Sequence, residues 1–376
     1  MSTKTLGALC LLAGLLGGLP APAQERSQGI TSPKVLAPYD ASAPNCSPPA
    51  GLNRVLAFAR DNDRDFMMGV DRGLELAARD RNLEYRVAVA ENDAGKMAAQ
   101  VDEFRAARVG ALVAAPVDPA SLAPHLQEVI WSGAYVGTIV PPPAITILNA
   151  PQYLTGKALG DAAVSYINTR LDGKANVVLL THDSLEFLAP RFTAIRDSLR
   201  NAPGAVIVAD ISPLTVNNRG GYDTMKTILL AEPKIDVVLG ADTVVLGALA
   251  AMRDAGLARQ DQFFGGIDGE RDAVAELEKP DSPYKTSISL ASPVFGYAMG
   301  QQAADWLDGK SVPLAIDILP IALNGLTLPR YQADIAAPGT VYADSERRDR
   351  YLRFYGNICF DSRDDYLNFP WSSEQN

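Results

Sequence analysis

The chain reads as an α/β protein built from parallel sheets covered by helices and arranged as two lobes. Two observations carry this expectation. Short apolar runs alternate with stretches of helical spacing, from Arg54 to the region of Ile316. The alternation comes in two blocks, separated by Pro141-Pro142-Pro143, and 376 residues of 47% apolar composition can fill two cores. Buried strands alternating with helices imply parallel sheets with right-handed crossovers, so two blocks place two lobes across a cleft.

Residues 1–23 read as a removable export signal. Lys4 precedes the apolar run Leu6 to Leu19, and Pro20-Ala21-Pro22-Ala23 offers the small residues that suit signal peptidase, with cleavage after Ala23. The run is too short and too rich in glycine to span a bilayer. Cys10 lies inside it rather than after it, which argues against lipid attachment. Only Cys46 and Cys359 survive processing, and an oxidising compartment favours one disulfide between them; two unpaired buried thiols are the alternative. The net charge of −10 disfavours nucleic acid and membrane surfaces as partners.

Residues 24–53 carry five prolines without apolar periodicity and read as an extended arm. The first strand follows at Arg54 to Ala59. Phe66, Val70, Leu74 and Ala77 have helical spacing, and Tyr85 to Ala90 is the next strand. A helix from Lys96 to Ala107, a strand at Ala111 to Ala115, a helix from Ser121 to Trp131 and a strand from Tyr135 to Val140 complete the first block. In the second block Ala175 to Thr181, Ala205 to Asp210, Val237 to Gly240 and Phe263 to Ile267 are strands. From Thr327 the pattern stops. Arg347, Arg348, Arg350, Tyr351, Arg353 and Tyr355 mark a solvated tail, residues 328–376, anchored on the lobes by its aromatic rings.

No catalytic constellation emerges. The two histidines, His125 in a helix and His182 after a strand, lack metal-ligand spacing, and no nucleophile elbow, P-loop or dinucleotide fingerprint occurs. His182, Asp183 and Ser184 are adjacent in sequence, which does not make a triad. Neither a metal nor a cofactor is expected, and the chain is expected not to be an enzyme.

What remains is a set of strand-end loops. Arg60, Asp61, Asn62, Asp63, Arg64 and Asp65 lead into Phe66, so guanidiniums able to grip carboxylates or hydroxyls sit beside a ring able to stack. The same residues could form an ion-pair network that only caps the helix. Asp118 is expected to cap the following helix, and Asp242 to cap the helix Val244 to Met252, with a ligand role second. Asp268, followed by Gly269 at a strand end, could cap or could accept hydroxyl hydrogen bonds in the cleft.

The order of these motifs resembles the type I periplasmic substrate-binding proteins of the ribose-binding kind, which feed sugar ABC importers. The resemblance spans most of residues 54–325. It rests on Asp65-Phe66-Met67 with Gly73, on Ala115-Pro116-Val117-Asp118, and on Gly156-Lys157-Ala158-Leu159-Gly160. It continues through Leu239-Gly240-Ala241-Asp242 with Leu246-Gly247-Ala248, Gly266-Ile267-Asp268-Gly269 and the closing run Leu307 to Pro313.

The resemblance implies two Rossmann-like lobes, residues 54–148 with 291–318 and residues 149–290 with 319–327, joined by a hinge of three crossings. It implies a periplasmic monomer that captures a small molecule by closure and delivers it to a membrane permease without chemistry. A ligand-sensing subunit for a membrane kinase or chemoreceptor is the alternative. Phe66 matches a ring that stacks on sugar, and Asp268 a carboxylate that holds hydroxyls. Other positions depart. Val140-Pro141 replaces an Asp-Arg pair, Ala115 and Ala241 replace asparagines, and Leu290 replaces the hinge glutamine. Asn217 stands for a second stacking aromatic. Arg60 and Arg64 stand where small polar residues are usual, and Arg191 lies near, but offset from, a ligand-binding arginine. Each unpaired buried hydroxyl costs about 1–3 kcal/mol. These changes therefore point away from an ordinary pentose or hexose, toward a more apolar ligand or an acid met by Arg60 and Arg64. The expected ligand-binding set is Arg60, Asp61, Arg64, Phe66, Asn217 and Asp268, for a sugar-like compound, polyol, sugar acid or more apolar molecule.

Overall fold

The computed structural model describes residues 26–375 apart from 140, 141, 184 and 185. The expected signal segment, Val140-Pro141 and Ser184 lie outside the described residues. The first block forms β1 (Asn53–Arg60), α1 (Asp65–Asp80), β2 (Glu84–Val89), α2 (Ala94–Ala106), β3 (Val109–Ala114), α3 (Pro119–Trp131), β4 (Tyr135–Ile139) and β5 (Thr146–Asn149). The second forms α4 (Gln152–Arg170), β6 (Lys174–Leu180), α5 (Ala189–Leu199), β7 (Gly204–Ile211), α6 (Asn218–Ala231) and β8 (Val237–Gly240). It continues with α7 (Asp242–Asp254), β9 (Phe263–Asp268), α8 (Arg271–Leu277) and β10 (Tyr284–Ser289). The chain then returns through α9 (Ser292–Leu307) and β11 (Ala315–Ile318) and crosses again to β12 (Ile321–Leu323).

Two sheets result, ordered β13-β11-β5-β4-β3-β1-β2 and β12-β10-β9-β8-β6-β7, where β13 is Leu352–Tyr355 of the tail. All neighbours are parallel except β13 on β11 and β12 on β10. Three crossings join the sheets, after β5, after β10 and after β11. In each sheet the strand order reverses once, between β1 and β3 and between β6 and β8. Such reversal points open a crevice at the strand ends, where ligands of α/β sheets bind.

Sequence explains the packing. The last six residues of β1 are all buried, as suits a central strand covered on both faces. In α1, Met67, Val70, Leu74 and Ala77 form the buried stripe, and the helix lies so close to α9 that a Cβ on Gly73 would come within 2.3 Å of the Pro293 carbonyl. The second lobe repeats the device. A Cβ on Gly156 of α4 would come within 1.8 Å of the Arg191 carbonyl on α5, so this glycine sets where Arg191 sits.

The N-terminal arm and the tail both lie on the β11 side of the first sheet. The Cys46–Cys359 disulfide joins them, as expected from the compartment. The tail departs from expectation. Rather than ending regular structure at Thr327, it forms α10 (Leu328–Ala336), α11 (Pro338–Ala343), α12 (Ser345–Arg348) and then β13, which adds an antiparallel strand to the sheet edge. Asp334 in α10 is buried and receives Tyr351 Oη at 2.7 Å and the guanidinium of Arg347, so the charges that suggested solvated surface hold the tail together.

Candidate functional site

The loop after β1 forms one lip of the cleft. Arg60 is only 8% exposed, with Nη1 2.7 Å from Asp71 Oδ2 and Nη2 2.8 Å from Asp63 Oδ1. Its Nε is buried without a partner. Arg64 reaches Asp61 at 2.9 Å. Both guanidiniums are engaged by carboxylates of the same lobe, as the ion-pair reading expects, but no side chain caps α1. Phe66, in the first turn of α1, packs half-buried against the core. Asp65 begins α1 and accepts Arg271 Nη2, from the other lobe, at 2.7 Å.

The facing lip is built from the ends of β6, β8 and β9. Asp268 closes β9 with a φ of +121°, a conformation costly for a residue with a Cβ and therefore one that the surrounding structure must impose. Its side chain is about one-third exposed. It is not a helix cap: Glu270 precedes α8, and no side chain caps that helix. Arg191, buried on α5, places Nη1 3.7 Å from Asp268 Oδ1 and directs Nε to Gln152 Oε1 at 2.9 Å. The offset arginine of the sequence comparison is thus brought to the carboxylate by α4–α5 packing.

Asp242 requires a correction. The N-cap of α7 is Ala241 and its side chain caps nothing. Asp242 is instead fully buried and accepts Tyr284 Oη at 2.6 Å, Ser287 Oγ at 2.7 Å and the Glu270 backbone N–H at 2.9 Å. It supports the floor under Asp268. Asp118 does cap α3, accepting the Ala120 N–H at 3.1 Å. Asn217 caps α6, its amide oxygen accepting the Gly220 N–H at 2.8 Å. His182 is buried, packs edge-on to Phe192 with ring centres 6.1 Å apart, and has Nε2 unpartnered.

The electrostatics of this lip follow from burial. Desolvation, reinforced by Asp268 and Asp242, pushes the Glu270 carboxyl up to about 8. Burial pushes Asp242 up to about 6 despite the hydroxyl of Tyr284. Asp268 is raised by burial and drawn back by Arg191 and Arg64. His182 is lowered by burial and then by Arg191. The lip therefore gathers three carboxyl groups, of which Glu270 keeps its proton at neutral pH, with the Arg191 guanidinium beside Asp268.

Two sheets joined by three crossings, with acceptor-lined loops meeting at paired strand-order reversals, define a two-lobe solute-capture protein. A family model described as periplasmic binding protein domain matches residues 55–311, and the chain belongs to that family. A ribose import binding protein of Bacillus subtilis is 25% identical over 262 residues, 67% of this chain and 80% of the relative. The fold matches that of a periplasmic ribose ABC transporter protein from Conexibacter woesei with a TM-score of 0.65 at 18% identity, covering 76% of this chain and 96% of that one. It also matches the Caulobacter myo-inositol binding protein bound to myo-inositol, with a TM-score of 0.61 at 20% identity and coverage of 75% and 97%. The family consists of solute-binding proteins rather than enzymes. No helix among the described residues is long and apolar enough to cross a membrane.

Proposed function

We propose that this protein captures a neutral polyhydroxylated molecule, a sugar or polyol, in the interlobe cleft and delivers it to an ABC permease. One observation carries the ligand class. Arg60 and Arg64 already have carboxylate partners, while Asp268, close to the buried Asp242, stands part-exposed with its pKa raised by burial. A ligand that brings hydroxyl donors satisfies such acceptors; a carboxylate would add charge to a lip already rich in acid. Phe66 supplies an apolar face for the C–H side of a ring. Asp61, Arg60 and Arg64 then act by holding the lip in shape, and Arg191 joins Asp268 at the ligand. Relatives that carry ribose and myo-inositol support the same class. The expected setting is the periplasm after loss of residues 1–23, with the protein a monomer.

A thermal-shift screen of sugars, polyols and sugar acids tests this, because a ligand that binds only the folded state raises its midpoint. Neutral polyols should give the largest shifts, and Phe66→Ala should weaken the best of them without unfolding the protein. Shifts confined to sugar acids would overturn the reading.

A further inference from the structure

The end of the tail returns across the hinge. It is rooted in the first lobe: Leu367 bridges to Ala144 and Ile30, Phe369 and Trp371 are buried in that lobe's core, and Trp371 packs on Tyr355 with ring centres 5.1 Å apart. From this root the chain runs to Glu374, whose carboxylate accepts the backbone N–H of Tyr153 at 3.1 Å and of Leu154 at 2.8 Å. Those donors open α4, the first element of the other lobe, and Pro151 before them provides no side-chain cap. Glu374 therefore occupies the cap that α4 lacks and meets the positive end of a 19-residue helix.

The contact sits where the lobes turn. Asp317, the third residue of β11 just before the last crossing, is buried and bonds Asn149 Nδ2, just before the first crossing, at 2.8 Å; Tyr355 Oη donates to it at 3.2 Å. Across the molecule, at the mouth of the cleft, Asp65 and Arg271 join the lips. Any rotation of the second lobe away from the first must move α4 relative to the rooted tail.

We infer that Glu374 is an affinity-determining residue outside the cleft: the tail is a strap that clips α4 and biases the hinge toward the arrangement in which the lips meet. The inference rests on the capture reading for its consequence, since a population already near the closed arrangement binds with less of its affinity lost to closure. Removing the clip lowers apparent affinity by the fraction of molecules released.

The test uses the full chain without ligand, so a failure to find a polyol that binds leaves it decisive. Hydrogen exchange would follow the Tyr153 and Leu154 amides while X-ray scattering follows the radius of gyration, in Glu374→Gln and Glu374→Lys. Loss of a hydrogen bond to a charged group predicts roughly tenfold faster exchange at both amides in Glu374→Lys. It also predicts a larger radius of gyration, with Glu374→Gln between the two. Unchanged thermal unfolding of the rest of the chain would show that both variants fold. Faster exchange with an unchanged radius would reduce Glu374 to a helix cap and overturn the strap; so would unchanged exchange, or a smaller radius.

Discussion

On the first lobe's lip, Arg60 and Arg64 each find a carboxylate close by in sequence, whereas on the second lobe's lip Asp242, Asp268 and Glu270 converge around the end of β9 with Arg191 3.7 Å from Asp268. On the first lip each guanidinium is paired with a carboxylate of its own lobe, although Arg60 Nε stays unpartnered. The second lip holds acceptors in a buried setting that raises their proton affinity, and it imposes a positive φ on Asp268. The difference teaches that a count of arginines near a strand end says little about ligand charge until their partners are known. Here the lip that looked most reactive in sequence has its guanidiniums paired within its own lobe, and under the proposed function the quieter one carries the recognition.

Asp268→Ala should have the largest effect. Removing a charged acceptor from a closed cleft costs about 1.5–3 kcal/mol, or roughly 10- to 150-fold in affinity for the best polyol, measured by calorimetry. An unchanged affinity would erase the contrast between the lips. Gly156→Ala sharpens it. The added methyl must push against the Arg191 backbone, so about 1–3 kcal/mol of stability and some affinity should be lost together. Gly73→Ala crowds α1 against α9 in the same way, but should lower the thermal midpoint with a smaller change in affinity. Equal affinity losses would mean that the packing of Arg191 is not special.

A subtler separation uses pH. Glu270 holds its proton up to about 8 when folded, against 4.5 ordinarily, so the folded state binds more protons across that range and stability falls as pH rises through it. Asp242, pushed up to about 6, acts in the same direction at lower pH. His182, lowered by burial, acts in the opposite direction below about 6.5. Between about pH 6.5 and 8 the slope therefore belongs mainly to Glu270. Glu270→Gln should flatten a plot of unfolding midpoint against pH in that window; a wild-type midpoint that rises with pH there would contradict the assignment. Arg64→Ala should matter least. An exposed ion pair contributes about 0.2–1 kcal/mol, so polyol affinity should change by less than about fivefold, and a sugar acid should fare no worse than its alcohol. A selective loss for the acid would restore Arg64 as a ligand residue.

Much of this was legible in sequence because the signals were local. Apolar runs placed β1, β8 and β9 within a residue or two, Asp118 ahead of a helical stretch suggested its cap, and the Asp268-Gly269 step marked a strand end. What escaped was long-range. Asp242 looks like any acid before a helix until Tyr284 and Ser287, more than forty residues away, are folded onto it. Arg191 looked misaligned because its place is set by the approach of α4 to α5. The four residues of β13 are too few for alternation to stand out among arginines and tyrosines, and only the free edge of β11 gives them meaning.

The disulfide also decides how the molecule would answer a mechanical load. Cys46 and Cys359 lie 313 residues apart, and everything that forms the cleft lies between them. Tension applied at the two ends of the chain first peels the arm and the last residues of the tail from the lobes and then passes through the sulfur bridge, leaving both lobes out of its path. In a pulling experiment the oxidised protein should lengthen only by the residues outside that bridge, and reduction should release the long plateau of two unfolding lobes. The two lobes thus keep their fold inside a loop that external force does not unravel, although the same pull would lift Glu374 from α4.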